Sequence, residues 1–114
     1  MTPDTYRAIH AEMCRKASEL TMQKGADYSG AADTLANLKA CERLGICTAE
    51  TGVLVRMCDK LMRLITLNRD GEEGRAVQDE SLVDTELDLI NYTILLGALR
   101  CERAAQATKD GGAK

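Results

Sequence analysis

Tryptophan and phenylalanine are missing from this chain, and its only aromatic rings are Tyr6, Tyr28 and Tyr92, apart from the imidazole of His10. Leu, Ile, Met and Ala must fill the core, a set that suits helices better than strands. A single proline (Pro3) and few β-branched runs point the same way, so an all-α fold is expected. No long hydrophobic run occurs: the longest, Tyr92 to Leu99, is far short of the roughly 20 residues that span a bilayer. The first apolar positions alternate with charges at helical spacing, unlike a secretory leader. These absences predict a cytoplasmic protein with no membrane partner. Basic residues are scattered and the net charge is −3, which excludes an electrostatic footprint for long nucleic acid. A small phosphorylated ligand needs only a few placed cations. Histidine occurs once and no C-x-x-C pair is present, which argues against a zinc site. Of the five cysteines, Cys14, Cys41, Cys58 and Cys101 fall on or beside apolar helical faces and read as small hydrophobes.

What is present is one domain's worth of helical pattern, 114 residues long. Thr2 with Pro3 predicts a first helix carrying Tyr6, Ile9, Met13, Ala17 and Leu20, stopped at Lys24–Gly25. Asp33 is expected to cap a second helix bearing Leu35, Leu38, Cys41 and Leu44, ended by Gly45. Thr48 caps a third, with Glu50 in its first turn and an apolar stripe of Leu54, Met57, Leu61, Leu64 and Ile65 running to about Asn68. A charged, glycine-punctuated loop follows over 68–78, of a length that often serves a site or an interface. The fourth helix is expected over 80–103. This gives a single domain, 1–103, and a disordered tail, 104–114, whose apolar content is too low to pack. Beyond Asn91 the fourth helix is apolar nearly all round. Four helices of one chain can hardly cover it, so a homo-oligomer is expected; a packed core with Gly97 allowing close approach is the alternative.

The densest chemistry lies in DESLVDTELDLINY (79–92), where Glu80, Asp84 and Asp88 recur every four residues. They share one helical face over about 12 Å, with neighbours about 6 Å apart. Like charges so spaced repel, and burial without partners costs far more. A cation between them resolves both problems. Mg²⁺ takes octahedral oxygen ligands, and a fourth acid from another helix would allow two ions; Asp59 is the natural candidate. The plainer alternative is a capping box of Ser81 with Asp84 and a dipole partner in Glu80, which leaves Asp88 unexplained. In DKLMR (59–63), Lys60 and Arg63 are candidate phosphate ligands, while Asp59 and Arg63 equally fit an ordinary surface pair. In KGADYSG (24–30), Tyr28 can stack on a base and Asp27 can accept from a ribose or base edge, beside Lys24; an Asx-type turn fits equally well. Asn37 and Asn91 are polar residues on apolar faces, so each should face a ligand or a backbone carbonyl.

Taken together, KGADYSGAADTLANL (24–38), DKLMRL (59–64) and DESLVDTELDLINY resemble the phage-associated nucleotide modification associated domain family. That family looks like a branch of the all-α, MazG-like nucleoside triphosphate pyrophosphohydrolases. The resemblance covers roughly 24–97. It implies a four-helix MazG-like bundle assembling as a homo-oligomer, in the host cytoplasm if phage-encoded. It implies an acidic site of Asp59, Glu80, Asp84 and Asp88 that holds Mg²⁺ (or Mn²⁺). Lys24, Asp27, Tyr28, Asn37, Lys60, Arg63 and Asn91 would surround the nucleotide. The expected activity is hydrolysis of a (deoxy)nucleoside triphosphate at its α–β linkage. The alternatives are a non-catalytic sponge that sequesters a host immune signalling nucleotide, and a structural or partner-binding helical module. The chain departs from the MazG-like pattern in two places. DKLMR has one acid and two bases where those enzymes carry paired glutamates, and Thr85 stands three residues before Asp88 where they carry Glu. Fewer acids and more cations suit gripping phosphates.

Overall fold

The computed structural model describes residues 1–27, 33, 35–69 and 75–112, with side chains described except at 24–27, 75–80 and 110–112. The described residues form four helices: α1 (Pro3–Asp27), α2 (Ala40–Arg43), α3 (Ala49–Arg69) and α4 (Arg75–Gly112). There is no strand among the described residues, and none of their helices is long and apolar enough to cross a membrane. The all-α expectation holds.

Local chemistry explains each start. The Thr2 hydroxyl accepts the Thr5 N–H at 3.1 Å, and Pro3 opens α1. Thr48 repeats the device for α3, accepting the Thr51 N–H at 3.1 Å. The expected stop at Lys24–Gly25 is overrun, since α1 continues to Asp27. One internal glycine costs about 1 kcal/mol against alanine, which a helix of 25 residues absorbs.

The expected second helix is mostly not a helix. Residues 35–39 form turns, and only α2's four residues are α-helical. Side chains compete for the backbone there: Asp33 Oδ1 accepts the Leu35 N–H at 2.9 Å, and the Arg43 guanidinium donates to the Ala36 carbonyl at 2.7 Å. Gly45 ends α2 as expected, at φ +74°. The Gly45 N–H bonds to the Glu42 carbonyl and the Ile46 N–H to the Cys41 carbonyl, the paired bonds of a Schellman cap.

α3 and α4 form an antiparallel hairpin that holds the main core, with Leu35, Ala49, Val53 and Leu99 buried and Leu38, Met57, Tyr92, Leu95 and Leu96 packed against them. On α4 the inward positions are Thr85, Asp88, Tyr92, Leu95 and Leu99, alternating by three and four as in a coiled-coil seam. On α3 they are Ala49, Val53, Met57, Lys60 and Leu64. The expected stripe of α3 is thus only half right. Met57 and Leu64 face the seam, whereas Leu54, Leu61 and Ile65 are about half exposed. The helix has two apolar faces, and α4 covers one.

α1 meets α4 over a shorter stretch, where Ala17 and Leu87 are buried. Tyr6 and Ile9, at the far end of its stripe, stay exposed. α4 begins before residue 80 and runs past 103 to Gly112, over most of the stretch expected as a disordered tail. Ala, Gln and Lys over 104–109 are good helix formers, and extending an existing helix carries no nucleation cost.

Candidate functional site

The α3–α4 seam contains a charged rung. The Lys60 ammonium meets Asp88 Oδ2 at 2.9 Å, with the side chains 30% and 17% exposed. Both stand at inward seam positions, where an apolar pair would ordinarily sit. Arg63 follows three residues along α3 and is exposed, as is Asp59 beside Lys60. Lys60 with Asp88 thus joins DKLMR to the acid row.

The acid row itself divides. Asp84 is exposed and lines a groove of about 560 Å³ between α1 and α4, shared with Lys16, Glu19 and Gln23. Asp88, one turn later, faces α3. Glu80's side chain lies outside the described residues. Because α4 begins at Arg75, Glu80 and Ser81 stand inside the helix and not at its start. The capping-box account of Ser81 and Asp84 therefore fails: the Ser81 carbonyl instead accepts the buried Thr85 hydroxyl at 2.7 Å. Among the described residues no three His, Cys, Asp or Glu side chains converge as a metal site would require. Asp88 is engaged by Lys60, while Asp59 on α3 and Asp84 on α4 are exposed.

The remaining candidates separate. Asn91 Nδ2 donates to the Ala17 carbonyl of α1 at 3.1 Å, the carbonyl partner foreseen as one of its two options. Asn37 is exposed and lies in the turns, not on an apolar helical face. Its neighbour Lys39 pairs with Glu102, fourteen residues or about 21 Å along α4 from Asp88. Tyr28 and the side chains of Lys24 and Asp27 lie outside the described residues.

A second charged cluster has no counterpart in the sequence reading. Arg103 of α4 holds Glu50 of α3 through two bonds of 2.5 and 2.7 Å and also pairs with Glu42 of α2. Glu42 in turn accepts the Ala49 N–H at 3.1 Å, satisfying an orphan donor at the start of α3. That backbone bond, with Arg103 second, holds the Glu42 carboxyl below the usual range, and Arg103 does the same for Glu50. No sequence spacing links residues 50 and 103; only the hairpin does.

In comparisons with known proteins, no family model, no curated protein and no solved structure matches this chain.

Proposed function

We propose that this chain binds a nucleotide on the α3–α4 face, with Lys60 and Arg63 as phosphate ligands. The observation that carries the reading is the charged rung. A seam position given to Lys60 and Asp88 forgoes apolar burial, and a half-shielded ammonium is strongly placed to meet phosphate oxygens. An ammonium has three donors, so Lys60 can keep Asp88 and still offer N–H to a ligand. Asp88 then acts as the group that fixes Lys60. Arg63, on the next turn, adds a planar fork suited to bidentate phosphate contact.

Hydrolysis of a (deoxy)nucleoside triphosphate to monophosphate and pyrophosphate is the activity that the family resemblance supports. Mg²⁺ or Mn²⁺ is the cofactor that the same resemblance supports. A second reading, sequestration of an intact nucleotide, is favoured by Asp88 being neutralised by Lys60. Incubating the protein with nucleoside triphosphates and Mg²⁺, followed by chromatography, separates the two. Monophosphate with pyrophosphate supports the enzyme. Ligand released intact on denaturation supports the sponge. No retained or altered nucleotide overturns both and leaves a structural module.

A homo-oligomer belongs to the same proposal. It is supported by Leu54, Leu61, Met62 and Ile65 of α3 and Ile94 of α4, each about half exposed or more.

A further inference from the structure

Cys41 and Cys47 are six residues apart, outside any C-x-x-C pattern, yet the fold brings them together. The Schellman cap at Gly45 turns the chain back, so that the Cys47 N–H bonds to the Cys41 carbonyl at 3.4 Å, next to the bond from Ile46 at 2.9 Å. A path from Cα through carbonyl, hydrogen bond and amide limits the two Cα atoms to about 7 Å, the outer range that a disulfide spans without backbone movement. Both sulfurs then converge on Gly52 in the first turns of α3. A methyl placed on Gly52 would lie 3.1 Å from Cys41 Sγ and 3.9 Å from Cys47 Sγ. The missing side chain at Gly52 leaves the space that the two thiols occupy. Both cysteines are partly exposed, so a small oxidant can reach them.

We infer that Cys41 and Cys47 form a reversible dithiol–disulfide site, oxidised by low-molecular-weight disulfides of the glutathione class. One cysteine thiolate attacks the oxidant's disulfide, forming a mixed disulfide and releasing one small thiolate, which takes up a proton. The other cysteine then attacks the protein sulfur of the mixed disulfide and releases the second small thiol. The pair loses two protons and two electrons, and one small disulfide takes them up to become two thiols. Hydrogen bonding with Cys41, then burial, holds the Cys47 thiol above its ordinary range, so the reaction quickens as pH rises. Cys14, Cys58 and Cys101 are exposed and stand as internal controls.

The site is tested on the full chain in buffers of graded reduced-to-oxidised glutathione, with remaining thiols trapped by a maleimide before trypsin digestion. Cleavage at Lys39, Arg43 and Arg56 puts the two cysteines on separate peptides, 40–43 and 44–56. The expected product is these two peptides joined, at a glutathione ratio at least about tenfold more reducing than any other cysteine requires. C41S and C47S each abolish the joined product, and C58S leaves it unchanged. Maleimide on both cysteines at every ratio, or a separate glutathione adduct on each, overturns the inference. Nucleotide binding plays no part in this readout, so it stands or falls independently of the proposed function.

Discussion

Lys60 and Asp88 occupy positions that continue a run of Val53, Met57, Tyr92 and Leu95, so their charge interrupts a helix seam. Such a rung has two physical uses: fixing the register of two helices, or presenting a charge to a ligand. They differ in what removal does. Lys60→Gln keeps a donor for Asp88 while discarding the cation. A register device would show its loss in stability, whereas a ligand site shows it in affinity. Asn91 is the contrasting case. Its amide links α4 to the Ala17 carbonyl, so Asn91→Ala is expected to lower unfolding free energy by about 1 kcal/mol in urea titration while leaving nucleotide uptake intact. Leu99 is 1% exposed in the main core, and Leu99→Ala should cost about 2–5 kcal/mol by the same titration. An Asn91→Ala variant that lost uptake but kept stability would return Asn91 to the ligand set.

Between elements, Arg103 joins α4 to Glu42 of α2 and Glu50 of α3. Its partners Glu42 and Glu50 have folded pKa values depressed below the ordinary carboxylate value of 4.5. Depressed carboxylates stabilise the fold above the unfolded value, and that contribution is lost as pH falls through the folded values. The melting temperature should therefore drop as pH falls below the ordinary carboxylate range, and less steeply in Arg103→Ala. Raised salt should narrow the gap between the variant and the parent, since the cluster is partly exposed. Equal slopes in parent and variant would remove Arg103 from that account.

Elements differ in how far the sequence disclosed them. Thr2, Thr48 and Gly45 act through bonds to residues within a few positions, so caps and the α2 stop were legible. The helical spacing of Leu35, Leu38 and Cys41 predicts one helix after Asp33, because spacing says nothing about side chains capturing the backbone. The Cys41–Cys47 approach is hidden for a related reason: their spacing fits no dithiol motif, while the Schellman turn after Cys41 sets their distance. Lys60 and Asp88 were each identified as candidates, but their meeting depends on how α3 and α4 align, which no local pattern fixes.

At the scale of the whole molecule, the single chain is open. Its radius of gyration is 17.5 Å, where about 13 Å is usual for this length. Its accessible surface is 8512 Å², against about 6100 Å² for a typical folded monomer of 12.4 kDa. The uncovered α3 face and Ile94 account for part of that excess. Light scattering after size exclusion is expected to give a multiple of 12.4 kDa, and Leu54→Glu with Leu61→Glu should reduce it to one copy. A monomer at high micromolar concentration would contradict the assembly.

Calorimetric titration of a nucleoside triphosphate with Mg²⁺ into the parent, Lys60→Gln and Asp88→Ala tests the nucleotide site most directly. Saturable binding by the parent is predicted. Lys60→Gln should weaken it by about tenfold or more, as loss of a charged contact implies, with little change in melting temperature. No binding by the parent, or affinities unaffected by either substitution, would contradict the assignment of Lys60 and Asp88 to a ligand.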